Sequence, residues 1–91
     1  MPRYMVERTF PDRLEIPTTP VGARAMAQVI ERNSENGVNW VQSFVSSDKT
    51  QTYCIYDAPT PEAVRIVAQK NGLPVDKITE VRVLDPFFYH H

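Results

Sequence analysis

The pattern of apolar and polar positions along the chain predicts six elements of regular structure. Short stretches rich in β-branched and aromatic residues, at residues 3–10, 39–46, 50–56 and 78–84, predict four strands. Two longer stretches carry apolar residues at steps of three and four, which is typical of helices that bury one face. Each of these helices begins with a threonine followed by a proline and ends beside a glycine, at residues 19–37 and 60–72.

The periodicity also assigns side chains to faces of these elements. In the first strand, one side carries Tyr4, Val6, Arg8 and Phe10, and the other carries Met5, Glu7 and Thr9. The alternation alone leaves open which of these two sides is the core. The buried stripe of the first helix is predicted at Ala23, Met26, Val29, Ile30 and Asn33, and that of the second at Ala63, Val64, Val67 and Ala68. The second strand is expected to show Trp40, Gln42 and Phe44 on one side.

The order strand, helix, hairpin, helix, strand predicts an α+β protein of the ferredoxin-like β-α-β-β-α-β type. Residues 1–91 would form a single domain, with two helices covering one face of a four-stranded antiparallel sheet. The other sheet face carries aromatic and charged residues. Packing two such faces together would give a homodimer, a dimeric α+β barrel; the alternative is a monomer with a half-polar sheet face.

Composition narrows the classes of partner. The formal net charge is −1 and the basic residues are scattered, which argues against nucleic-acid binding. No apolar run reaches membrane-spanning length, and the first residues show no signal-peptide pattern. With a single cysteine, Cys54, the chain is expected to be a cytoplasmic protein without membrane contact. Residues 86–91 form an aromatic tail that we expect to pack on a partner subunit or over a pocket; His90-His91 are either native or the remnant of a purification tag.

No complete catalytic or metal-binding motif is present in the sequence, so no catalytic residue is assigned and the metal ligands are unknown. Glu7 stands out because glutamate is disfavoured inside a strand, and it would pair with Arg8 or Arg82 or else face a cavity. Cys54 is expected to be a small buried apolar residue rather than a nucleophile. The candidates for a pocket that combines apolar and polar groups are Glu7, Trp40, Gln42, Tyr53, Cys54, Glu80 and Arg82.

Five segments together resemble a known bacterial family. They are residues 37–45, 53–59, 61–64, 71–74 and 80–86, and the family, of unknown function, includes small actinobacterial nickel-binding proteins. The resemblance implies a ferredoxin-like homodimer and, as cofactor, nickel or another divalent transition metal. Nickel favours imidazole nitrogen, and the chain has no histidine before His90, so the resemblance assigns a metal ligand to no residue here.

Three functions stay open at this point. We favour a binding protein that holds a small ligand or a metal ion between sheet and helices. The alternative is a cofactor-free enzyme of the dimeric α+β barrel type, such as an oxygenase, isomerase or dehydratase, which would use a carboxylate of Glu7 or Glu80 in the cleft. A third hypothesis is a structural interaction partner that acts through the aromatic tail.

Overall fold

The protein has the six elements that the sequence predicts, in the predicted order. The computed structural model describes residues 2–14 and 20–86. The elements are β1 (Arg3–Thr9), α1 (Pro20–Glu35), β2 (Asn39–Val45), β3 (Gln51–Asp57), α2 (Pro61–Lys70) and β4 (Lys77–Val81). The element ends differ from the predicted ones by one to three residues, most clearly in β4, which ends at Val81 instead of Leu84.

The four strands form one antiparallel sheet in the order β2-β3-β1-β4. β1 and β3 are therefore the central strands, and Val6 on β1 lies opposite Cys54 on β3 and Ile78 on β4. This strand order, with the two helices in the β-α-β-β-α-β connection, confirms the ferredoxin-like α+β fold.

The core lies between the sheet and the helices. Strand residues alternate between buried and half-buried along β1 and β3, because successive side chains point to opposite faces. The side of β1 that carries Tyr4, Val6 and Arg8 faces the helices, which decides the question that the sequence pattern leaves open. The buried apolar cluster comprises Tyr4, Val6, Val38, Cys54, Tyr56, Ala58, Val64 and Val67.

β2 contains an irregularity that changes which side chains share a face. Trp40 pairs with Tyr56, but Gln42 pairs with Ile55, so the register shifts between these two positions of β2. A bulge of this kind reverses the alternation along the strand. Trp40 consequently packs against the buried cluster, whereas Phe44 lies on the opposite sheet face and is 56% exposed. The prediction that Trp40, Gln42 and Phe44 share one side is therefore wrong.

The buried stripe of α1 is rotated from the predicted one. Ala23 and Ile30 are exposed. The residues of α1 that face the protein recur at steps of four, three and four: Gly22, Met26, Val29 and Asn33. Asn33 is buried although it is polar; its Oδ1 accepts from Asn71 Nδ2 at 3.3 Å, whereas its own Nδ2 is buried without a hydrogen-bond partner.

Both ends of α2 have the predicted capping structure. The Thr60 hydroxyl accepts a hydrogen bond from Ala63 N at 3.1 Å, which satisfies one free N–H of the first turn. At the other end Gly72 has φ +67°, and Leu73 N donates to Ala68 O at 2.9 Å. This is a Schellman ending, and it needs a left-handed residue at the position of Gly72.

The structure bears only in part on the predictions about the aromatic tail and about membrane contact. Residues 87–91 of the tail, which include His90-His91, lie outside the described residues. Across residues 2–14 and 20–86, no helix is both long and apolar enough to cross a membrane.

Candidate functional site

A cavity of about 300 Å³ lies between α1 and the helix-facing side of the sheet. Its floor is formed by side chains of β2 and β3, which are Trp40, Ser43, Val45, Thr52, Cys54 and Tyr56. Val45 is 50% exposed although it lines the cavity, so the space opens to solvent at the β2 side. We call this space the helix–sheet cavity.

The roof of the helix–sheet cavity is made of small and apolar side chains. α1 contributes Gly22, Ala25, Met26 and Val29, and the loops contribute Phe10, Leu14 and Leu73. The short residues at positions 22 and 25 leave room that larger side chains would fill. The accessible wall is consequently almost entirely apolar, as in pockets that bind small molecules.

Arg8 is a buried cation in the wall of this cavity. Arg8 is only 3% exposed, and its Nη1 donates to the Tyr56 hydroxyl at 3.3 Å. The guanidinium carbon lies 5.7 Å from the centroid of the Tyr56 ring. Nε is buried without a hydrogen-bond partner, and no carboxylate of the described residues forms an ion pair with Arg8. Since arginine keeps its proton in proteins, the site holds a buried positive charge that no carboxylate of residues 2–14 and 20–86 neutralises.

The other polar groups of the wall are neutral and have partners within the protein. Burial raises the pKa of Tyr56, and the positive charge of Arg8 opposes this shift only in part, so the phenol keeps its proton at neutral pH. Trp40 Nε1 donates to Ser43 Oγ at 2.8 Å, and Cys54 Sγ donates to Thr52 Oγ1 at 3.8 Å. Among the described lining residues, Arg8 is therefore the one with a buried side-chain nitrogen, Nε, that lacks a hydrogen-bond partner.

A second depression, of about 460 Å³, lies at the other end of the central strands and has a different character. It is lined by Pro2, Arg3, Asp57, Glu80, Val81, Arg82 and Val83. Arg3 Nε and Nη2 donate to the two carboxylate oxygens of Asp57 at 2.7 and 3.1 Å. This bond holds the pKa of Asp57 below its ordinary value, and the pair neutralises itself.

The structure separates the residues that the sequence proposes for one pocket. Trp40 and Cys54 line the helix–sheet cavity. Glu80 and Arg82 line the second depression. The three remaining candidates, Glu7, Gln42 and Tyr53, lie on the sheet face that points away from the helices, as their pairing register shows.

Glu7 and Arg8 do not form the pair that the sequence suggests. They are neighbours on β1 and therefore point to opposite sheet faces. Glu7 is half-buried on the open face, and no ion pair of Glu7 occurs within residues 2–14 and 20–86. Arg8 is the site residue that sequence reasoning missed, although its place on the same side as Tyr4 and Val6 was the signal that could have found it.

The residues of the described segments do not fit a nickel site. Nickel in proteins is held by several nitrogen, sulfur or carboxylate ligands that converge on one point. Residues 2–14 and 20–86 contain no group of three or more His, Cys, Asp or Glu side chains that could hold a metal ion. Cys54 is a buried thiol bonded to Thr52, and the two histidines of the chain, His90 and His91, lie outside these segments.

Comparison with known proteins points to one family. Residues 4–81 match the family model described as "Nickel responsive protein SCO4226-like". Among solved structures, the crystal structure of SCO4226 from Streptomyces coelicolor A3(2) superposes with a TM-score of 0.70 at 20% sequence identity, covering 91% of this chain and 99% of that one. At this identity the structural likeness supports the fold alone. No curated protein matches the sequence.

Proposed function

The chain belongs to the SCO4226-like family of nickel responsive proteins, and within that family we propose that it acts as a small-molecule binding protein. The proposed ligand is a molecule with an apolar body that occupies the helix–sheet cavity between α1 and the sheet. The same chain would pair with a second copy through its open sheet face.

The observation that carries this proposal is the cavity itself. Protein interiors are close-packed and leave few spaces larger than a water molecule. A space of about 300 Å³ in a 91-residue domain is an exception to that rule and falls at the lower end of the range for ligand pockets. Its apolar wall would gain free energy from contact with an apolar ligand, in proportion to the area removed from water.

The enzyme hypothesis has less support from the geometry. A cofactor-free mechanism in the cleft needs an acid or base at the place where the substrate binds. The described wall of the helix–sheet cavity contains no Asp, Glu or His. The two carboxylates that the sequence offered, Glu7 and Glu80, lie on the open sheet face and in the second depression, so we favour binding over catalysis.

Trp40 provides a built-in reporter for the test. It is the single tryptophan of the chain and lines the cavity, so a molecule that enters should change its fluorescence. We expect saturable changes with 1-octanol and 1-decanol, and an affinity that rises about fourfold for each added methylene group, since burying one methylene yields about 0.8 kcal/mol.

A matched pair of variants on α1 identifies the binding place. Ala25 lines the cavity, whereas Ala27 is exposed on the same helix and does not. A25F should weaken decanol binding at least tenfold, and A27F should leave it unchanged. Equal effects of the two substitutions, or no saturable signal with the wild-type protein, would refute the proposal.

Nickel binding is a second candidate function, which the family description favours. The described residues offer no converging metal ligands, and the two histidines of the chain are His90 and His91. Their imidazoles are therefore the candidate nickel ligands. Titration calorimetry with nickel on the full chain and on an H90A/H91A variant separates the cases. Heat that persists in the variant would place a metal site in the body of the domain, and heat that is lost would assign it to the terminal pair. No heat in either would remove direct nickel binding by this chain.

The homodimer is proposed from the open face of the sheet. This face presents Met5, Phe44, Tyr53 and Ile55, none of which the helices cover. Light scattering should give the mass of two chains, and I55K should give the mass of one, because a lysine in the middle of an apolar interface would lose its hydration. I66K is the control, since Ile66 is 47% exposed on α2. A monomeric wild-type protein would contradict the dimer without affecting the cavity.

A further inference from the structure

We propose that Arg8 binds a carboxylate, so that the ligand of the helix–sheet cavity is an apolar monocarboxylate of the fatty-acid type. This inference rests on the proposed binding function and adds the chemical class of the ligand. The ligand would place its charged group against the guanidinium and its apolar body along α1.

The first argument is the edge of the Arg8 guanidinium that contains Nε. Nη1 of Arg8 donates to the Tyr56 hydroxyl, and Nε is buried without a hydrogen-bond partner. Nε and Nη2 form the side of the guanidinium that pairs with both oxygens of a carboxylate.

The same chain shows this pairing at another arginine. Arg3 uses its Nε and Nη2 to bind both oxygens of Asp57, at 2.7 and 3.1 Å. Arg8 on the same strand is more deeply buried, yet its corresponding edge meets no carboxylate of the described residues. A carboxylate from a ligand would complete at Arg8 the geometry that Asp57 completes at Arg3.

The second argument is charge. Arginine side chains carry a positive charge in proteins, and the 3% exposure of Arg8 withholds most of the hydration that a guanidinium has in water. The described wall of the cavity contributes no negative charge. One positive charge in an otherwise apolar space matches a molecule with one negative group and an apolar remainder, which excludes dicarboxylates and sugar phosphates as good ligands.

The test compares decanoate with 1-decanol, using Trp40 fluorescence at neutral pH. The two molecules have equal chain length and differ in the charged group. We expect decanoate to bind at least tenfold more tightly than decanol, in line with the strength of hydrogen bonds to charged groups. R8Q should abolish this preference, and R24Q should retain it, because Arg24 is exposed on α1 and does not line the cavity.

A pH titration of the wild-type protein gives a second measurement that does not depend on a variant. The titratable groups beside Arg8 in the cavity are a thiol, Cys54, and a phenol, Tyr56, both on β3; α1 and the loops contribute none among the described lining residues. Acidification should therefore weaken decanoate binding as the ligand takes up a proton, and it should leave decanol binding unchanged.

The outcomes distinguish a failure of the proposed binding function from a failure of the proposed role of Arg8. If neither molecule binds, the cavity function itself fails. If decanol and decanoate bind equally well, the cavity function stands and the role of Arg8 is overturned. Glu15 is the one acidic side chain outside the described residues. An E15Q variant that binds decanoate at least tenfold more tightly than the wild type would identify Glu15 as the counter-ion of Arg8 and would likewise overturn the inference.

Discussion

Replacing Arg8 with methionine tests whether its buried charge destabilises the ligand-free protein. Methionine is unbranched and of comparable length, so it can follow the path of the arginine side chain and contact the same apolar wall. It removes the positive charge and the single hydrogen bond to Tyr56. The substitution should therefore stabilise the free protein, although it replaces a residue of the core face.

The magnitude follows from two opposing terms. Replacing buried ionic groups with apolar side chains is often neutral or stabilises proteins by about 1–4 kcal/mol, and no carboxylate of residues 2–14 and 20–86 pairs with Arg8, which favours the upper part of this range. Loss of the Tyr56 hydrogen bond costs about 1 kcal/mol. The net gain is about 2 kcal/mol, which corresponds to a rise in Tm of about 10 °C for a domain of this size.

The assay is thermal and urea unfolding of both proteins after refolding from guanidinium, which removes any molecule that copurifies. R24M is the control, because Arg24 is exposed and its replacement should change stability by less than about 0.5 kcal/mol. Decanoate should then raise the Tm of the wild type and leave that of R8M nearly unchanged. An R8M protein less stable than the wild type would show that Arg8 is already compensated in the free chain, and the reasoning for a carboxylate ligand would fail.

Three further predictions concern the fold. V64A should lower the free energy of unfolding by about 2 kcal/mol in urea titrations, because Val64 is 2% exposed in the core, and V83A should change it little at 62% exposure. T60A should cost about 1 kcal/mol through loss of the α2 cap, whereas T60S should be nearly neutral; equal losses would contradict a capping role. Hydrogen bonds from the Ser46 and Thr50 side chains lower the pKa of Asp48 to about 2 from 3.8. Asp48 thus contributes stability that is present above pH 3.8 and is lost as the pH falls towards 2. In D48N, the urea midpoint should therefore change less with pH across that interval than in the wild type.

Much of the fold is predictable from the sequence because its signals are local. The threonine–proline start and the glycine end of α2 correspond to capping bonds that the structure contains, such as the one from Ala63 N to Thr60. The β-α-β-β-α-β order follows from the spacing of the apolar stretches, and it fixes the neighbours of β1 and β3.

The errors arise where a long-range contact overrides a local pattern. Ile30 is apolar and was expected in the core, but it is 50% exposed because the polar Asn33 and the glycine at position 22 define the packed side of α1. The bulge in β2 places Gln42 and Trp40 on opposite faces of the sheet, and no residue type in that strand indicates a bulge.

The site was only partly predictable for a related reason. Of the seven residues that the sequence proposes for a pocket, Trp40 and Cys54 line the cavity. The sequence suggests Arg8 or Arg82 as a partner for Glu7, because a glutamate inside a strand needs one. The alternation of β1 places Glu7 and Arg8 on opposite faces, so the arginine lies in the interior, where no carboxylate of the described residues pairs with it, and the glutamate lies on the open side.

The order of the strands has a consequence for how copies of this chain can associate. One lateral border of the sheet is β2, whose bulge interrupts the row of backbone groups, and the other is β4, a five-residue strand. Interrupted or short borders are poor templates for the addition of a foreign strand. Growth of the sheet into ribbons or fibrils by strand addition at these two borders is therefore disfavoured.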